Sequence, residues 1–139
     1  MILFVWVIFA IACGCIEAIF FHVADYGKLK EFNHLHSDIH IHLTLFRMVV
    51  FVLMCHSYIP SDVLYMVLPC VLCFPLWHDG FYYIIRNRLN KKIYHRGFFS
   101  SPSINTTAKT QLSFKARVIC FVIGLAAYIY LYHFSNHGS

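Results

Sequence analysis

Residues 2–24 read ILFVWVIFAIACGCIEAIFFHVA, an apolar run in which Glu17 and His22 are the only strongly polar side chains. A helix needs about 20 predominantly apolar residues to cross the hydrocarbon core of a bilayer, and this run is long enough. Comparable runs recur at residues 41–59, 63–77 and 114–134. A water-soluble core of a 139-residue chain could not hide that much apolar surface, since 60% of the residues are hydrophobic and 12% charged. A transmembrane β-barrel would show strands of about 10 residues with apolar and polar positions alternating, whereas these runs are continuous. The predicted fold is therefore all-α: an integral membrane four-helix bundle in one domain over residues 1–139.

Local signals set the boundaries. The first run has no Lys or Arg before Lys28, so it lacks the positive start of a signal peptide and reads as a mature span. Pro60 and Ser61 close the second run, Asp62 reads as the N-cap of the third, and Ser113 as the cap of the fourth. Pro69 and Pro75 predict that the short third span is kinked or broken.

All eleven Lys and Arg fall in two intervals: Lys28, Lys30 and Arg47 around the first connection, and eight more from Arg86 to Arg117. The positive-inside rule then predicts a multi-pass protein of an inner or plasma membrane, with both basic connections in the cytoplasm and both termini outside. Between Gly80 and Gly97, Phe81, Ile85, Leu89 and Ile93 recur every four residues opposite Arg86, Asn87, Asn90 and Lys91. That pattern predicts an interfacial amphipathic helix after the third span, at about residues 81–95. Arg86, Arg88, Lys91 and Lys92 are its candidate contacts to anionic lipid. Residues 98–112 have linker composition, and the Asn105-Thr106-Thr107 sequon carries no meaning in a cytoplasmic loop.

Within lipid, helices approach where side chains are small. Ala10, Gly14 and Ala18 form one stripe and Ala116, Cys120 and Gly124 another, and the two are expected to face each other. The six cysteines all lie in apolar runs, which reads as packing rather than a disulfide framework; Cys70 and Cys73 form a lone CxxC beside the two prolines.

Ionisable groups inside a bilayer need a partner or a wet cavity. Glu17 and Arg47 each sit about six residues from the same end of their spans, roughly 9 Å deep at the α-helical rise, and are predicted to pair. His22, His42, His78, Asp79, Arg86, Asn87 and Arg117 project onto that layer, which is either a site or a paired structural collar. The run NHLHSDIHIHLTL, residues 33–45, offers His36 with His40 and Asp38 with His42 at the i, i+4 spacing of helical metal ligands. The two pairs lie on adjacent faces and cannot all bind one small ion, so a divalent ion with ligands drawn from His36, His40, His42, His78 and Asp79 is the cofactor to test for. No nucleophile elbow or glycine-rich phosphate loop is present, and the basic segment suits a membrane surface better than nucleic acid.

The segment FPLWHDGFYYIIRNRLNKKIYHRGFF, continuing to SFKARVICFVIG, resembles a motif of small uncharacterised bacterial or phage-encoded membrane proteins with an HDGxYYxxRNxLN element. The resemblance covers about residues 74–124. It implies architecture, points to His78, Asp79, Gly80, Arg86 and Asn87, and transfers no reaction. The expected role is non-enzymatic: an accessory, pore-forming or interaction protein that self-associates, because four short spans bury polar groups with difficulty. The alternative is a membrane-embedded metal-dependent enzyme or ion-handling site, with Glu17 as proton acceptor and Arg86 and Arg47 as anion ligands.

Overall fold

A computed structural model describes residues 2–26, 33–58, 63–91, 96–101 and 112–137. Side chains are described for 3–23, 41–54, 56, 67–91, 96–101 and 112–133 within those limits. Four helices follow in order, α1 (Ile2–Tyr26), α2 (Asn33–Tyr58), α3 (Val63–Leu89) and α4 (Phe114–His137), and no strand occurs among the described residues. Two of them contain stretches long and apolar enough to cross a membrane, Leu3–Val23 and Phe114–His133, while α2 has a shorter apolar stretch, Ile41–Met54.

The third helix is the axis of the molecule, packed along α1 on one side and α4 on the other, with α2 set more loosely against the first and third. Contacts fix the directions. Trp6 meets Cys70, Gly14 lies against His78 and Phe21 against Tyr82, so α1 and α3 run parallel. Gly124 lies against Pro69 and Cys73, Phe121 against Trp77 and Arg117 against Tyr83, so α4 runs antiparallel to α3.

Both small-residue stripes pack on α3, not on each other as their periodicity suggested. Ala10 and Ala18 are fully buried, and a Cβ added at Gly14 would collide with the His78 carbonyl. On α4, a Cβ at Gly124 would come within 2.9 Å of Cys73 Sγ and of Leu72 Cβ. The physical reason is that spacing marks the face of a helix that admits a close neighbour but not which neighbour takes it. Here α3 uses positions 70, 74, 78 and 82 for α1 and positions 69, 73, 77 and 83 for α4.

The third helix also differs from expectation in length. It runs unbroken through Pro69, Pro75 and Gly80 to Leu89, so residues 81–89 continue the span expected at 63–77 instead of starting a separate helix. The His-Asp-Gly run looked like a helix end because its side chains are polar. The helix continues with these groups engaged: His78 meets Glu17 and Arg47 of two other helices, and Asp79 meets His78 beside it. Gly80 is buried, and a Cβ there would strike the Phe98 ring, which also packs edge-on against Trp77 and Phe81. The chain thus folds back over α3 before entering α4. Ser113 caps α4 as its sequence position predicts: its Oγ accepts from Ala116 N–H at 3.2 Å and its carbonyl from Arg117 N–H at 3.0 Å.

Trp6 ties three helices together. Its ring contacts Phe9 on its own helix, Phe51 on α2 at 4.7 Å between centroids and Phe74 on α3 at 5.6 Å. Its indole N–H donates to the Cys70 carbonyl at 2.6 Å, which satisfies the one polar atom of an otherwise apolar cluster.

Candidate functional site

One turn below the Trp6 cluster, α1, α2 and α3 contribute one ionisable side chain each to a single point. Glu17 is 4% exposed and His78 8% exposed, so both are removed from solvent. Arg47 of α2 ion-pairs with Glu17 Oε2 and sits 3.0 Å from His78 Nε2. His78 Nε2 is 2.8 Å from the same Glu17 oxygen, and Nδ1 is 2.8 Å from Asp79 Oδ1. A carboxylate only accepts, so Nδ1 carries a proton and donates it to Asp79. The neutral ring accepts from Arg47 at Nε2; the imidazolium donates to Glu17 there instead. The ring stacks on Phe74 at 5.0 Å and 19° between planes, and the Arg47 guanidinium lies 5.7 Å from the centre of the same phenyl ring. One aromatic face thus orients both groups.

The local reason for this convergence is helical spacing. Phe74 and His78 are four apart on the face of α3 that meets α1, and the absence of a side chain at Gly14 brings the two backbones close enough for Glu17 to reach. The expected pairing of Glu17 with Arg47 is present, and His78 joins it.

On the other side of α3 lies a second polar group. Arg117, at the start of α4, has no exposed surface. Its guanidinium is 5.4 Å from the centre of the Tyr83 ring and 5.6 Å from that of Phe114, and Nη2 donates to the Ser100 carbonyl. Arg96 lies 5.6 Å from the centre of the Tyr83 ring as well. Asp79 is near enough to act electrostatically on Arg117 and Tyr83, so it stands between the two groups.

Of the residues singled out by sequence, the structure brings Glu17, Arg47, His78 and Asp79 into one connected set and puts Arg117 in another. Arg86, expected on the exposed basic side of an interfacial helix, is 3% exposed; the expectation fails because residues 81–89 continue α3 and Arg86 shares an inward stripe with Tyr83, which meets Arg117 of α4. Asn87 is half-buried, and Arg88 and Lys91 are exposed. Lys92 lies outside the described residues, and the side chains of His36, Asp38 and His40 lie outside the described ones. His42 is exposed on α2, and His22 is half-buried on α1. Among the described residues no three His, Cys, Asp or Glu side chains are arranged to hold a metal ion. Both nitrogens of His78 already face other groups of the protein.

Trp6, Phe74, Tyr83, Arg96 and Ser100 were not anticipated. Only two left a trace in the sequence: Phe74 stands four residues before His78, and Tyr83 four after Asp79. Three comparisons bear on identity, and no family model, no curated protein and no solved structure matches this chain.

Proposed function

We propose that this chain is a small multi-pass protein of a plasma or inner membrane, non-enzymatic, which acts by associating with other membrane helices, its own copies included. In this reading the Arg47–Glu17–His78–Asp79 set is a latch that holds α2 to the α1–α3 pair. The observation that carries it is that these groups engage one another. Arg47 and His78 converge on one Glu17 oxygen from two other helices, and Asp79 holds the far nitrogen of the imidazole, while Arg47 Nε has no acceptor among the described residues. An ion pair shielded from water costs stability when broken and fixes which helices meet, the use best attested for such groups.

Support for the membrane comes from the two apolar stretches of spanning length and from the outward faces of the helices. Ile8, Ile16, Ile19 and Val23 on α1, and Ile119, Val122, Ile123 and Ile129 on α4, all point away from the protein. The distribution of Lys and Arg supports cytoplasmic placement of the latch face and external termini. Association is supported by α2, whose Leu45, Met48, Val49, Val52 and Leu53 are exposed along most of its described length.

Cross-linking in proteoliposomes over a range of protein-to-lipid ratios tests this. Dimers or higher species should persist on dilution with lipid, and substitutions on the exposed α2 face should disperse them. A chain that stays monomeric at every ratio defeats the association reading.

A second reading, proton or ion handling, is favoured by one observation: His78 bridges two carboxylates. Liposomes containing the folded protein and a pH-sensitive dye would then leak protons in a manner abolished by H78Q. A tight vesicle removes that reading, and a metal assay with no stoichiometric ion removes the metal-dependent form of it.

A further inference from the structure

Every cation described in the latch has a carboxylate beside it, but the corner where α3 meets α4 is different. From Gly80 to Ser139 the sequence contains eight Lys and Arg and no Asp or Glu. Arg117, wholly buried there, has one hydrogen bond, from Nη2 to the Ser100 carbonyl. Nε and Nη1 are also buried, and among the described residues no acceptor lies within reach of either. The nearest carboxylate, Asp79, is engaged with His78. A guanidinium cannot shed its proton, so it cannot avoid the penalty by becoming neutral as a lysine would. Buried charge with unmade hydrogen bonds is costly and calls for an explanation, of which a bound anion is one.

We propose that the α3–α4 corner binds a phosphate group, with Arg117 as its buried anchor and Arg96 as its outer cation. Phosphate fits this set better than a single carboxylate. Two guanidinium groups gather around one phenol, Tyr83, and a phosphate brings several acceptor oxygens and more than one charge to share between them. The start of α4 adds to the field, because the positive end of a helix favours anions. The hydroxyls of Ser101 and Ser113 accept the N–H groups of Phe114 and Ala116, at 3.0 and 3.2 Å, which leaves each hydroxyl proton available to donate. Ser100 and Gly97 close a small turn over Arg117 by two bonds, Ser100 N–H to the Gly97 carbonyl at 3.0 Å and Gly97 N–H to Ser100 Oγ at 2.9 Å. The inference goes beyond the latch and does not depend on it, since neither Arg47 nor Glu17 takes part.

Two sources share the chemistry, a phospholipid headgroup and free phosphate. The test uses the full chain purified in a maltoside detergent without phosphorus or phosphate buffer. One arm titrates inorganic phosphate against a chloride background; the other adds phosphatidylglycerol, with a phosphate-free glycolipid as control. Binding is followed by phosphorus NMR and by the shift in Tm. Saturable binding in the first arm assigns a free-phosphate site, and binding in the second arm alone assigns a headgroup site. In either case R117Q should weaken apparent affinity about tenfold or more, as expected for losing hydrogen bonds to a charged group. R96Q should weaken it by less, and Y132F, on an exposed side chain at the far end of α4, should leave it unchanged. Should R117Q fail to fold, R117K, which keeps the charge and loses the fork, carries the comparison together with R96Q. Absence of binding in both arms overturns the proposal, as does equal binding by wild type, R117K and R96Q.

Discussion

The two faces of α3 solve the same problem in opposite ways. Toward α1 and α2, a guanidinium, an imidazole and two carboxylates are arranged so that each charge has an opposite neighbour. Toward α4, a fully buried guanidinium rests between two aromatic rings and one backbone carbonyl, with two N–H groups unanswered among the described residues. The first face neutralises its charges within the chain, with Arg47 Nε lacking an acceptor among the described residues, and so behaves as structure. The second is completed from outside, which is what distinguishes a binding site from a collar.

The comparison is testable by substitutions whose expected effects differ in size and in sign. The largest belongs to E17A. It leaves Arg47 and His78 buried without their shared carboxylate, and loss of one partner of a buried pair typically costs about 3–5 kcal/mol. Thermal unfolding in detergent should show it, and a wild-type midpoint would mean that the latch contributes nothing. Next comes G14V, which pushes α1 off the His78 backbone; overpacking of this kind costs about 1–3 kcal/mol. Its signature is that the Glu17–His78 contact is lost with the helix contact, visible as a change in the His78 ring signals by NMR, whereas G124V should leave those signals in place. W6F removes the bond to the Cys70 carbonyl and should cost about 1 kcal/mol for that bond, with some further loss from the smaller ring. The smallest effect, and the sharpest contrast, is R117M against R47M. In the absence of phosphate R117M should cost little stability, because an apolar chain replaces a buried charge with two N–H groups unanswered among the described residues, which offsets the lost bond to the Ser100 carbonyl, while R47M should destabilise. Equal losses from both would erase the distinction between the two faces.

Part of this arrangement was legible from residues alone. Glu17 and Arg47 could be matched because each is an isolated charge in an apolar run, and the helical rise places both at one depth. His78 and Asp79 could be assigned to that layer but not to a partner. Their roles depend on Gly14, whose missing side chain sets the distance between α1 and α3. The histidines of residues 33–45 drew attention by number, yet among the described side chains the α2 group that reaches the site is Arg47. Arg86 reads from the sequence both as a lipid-facing cation and, with Arg117, as part of the polar layer; both are buried, and the turn whose Ser100 carbonyl Arg117 bonds belongs to a segment that no periodicity reveals.

The helical class, the apolar character of the runs and the uneven distribution of positive charge follow from the order of residues, because hydrophobic length and charge placement are properties of each segment taken separately. The central position of α3, the docking of both small-residue stripes on it and the contrast between a paired and an unpaired arginine do not. Those depend on which faces meet, and a periodic pattern specifies a face without specifying its neighbour. Only packing decides whether a buried charge finds its partner inside the chain.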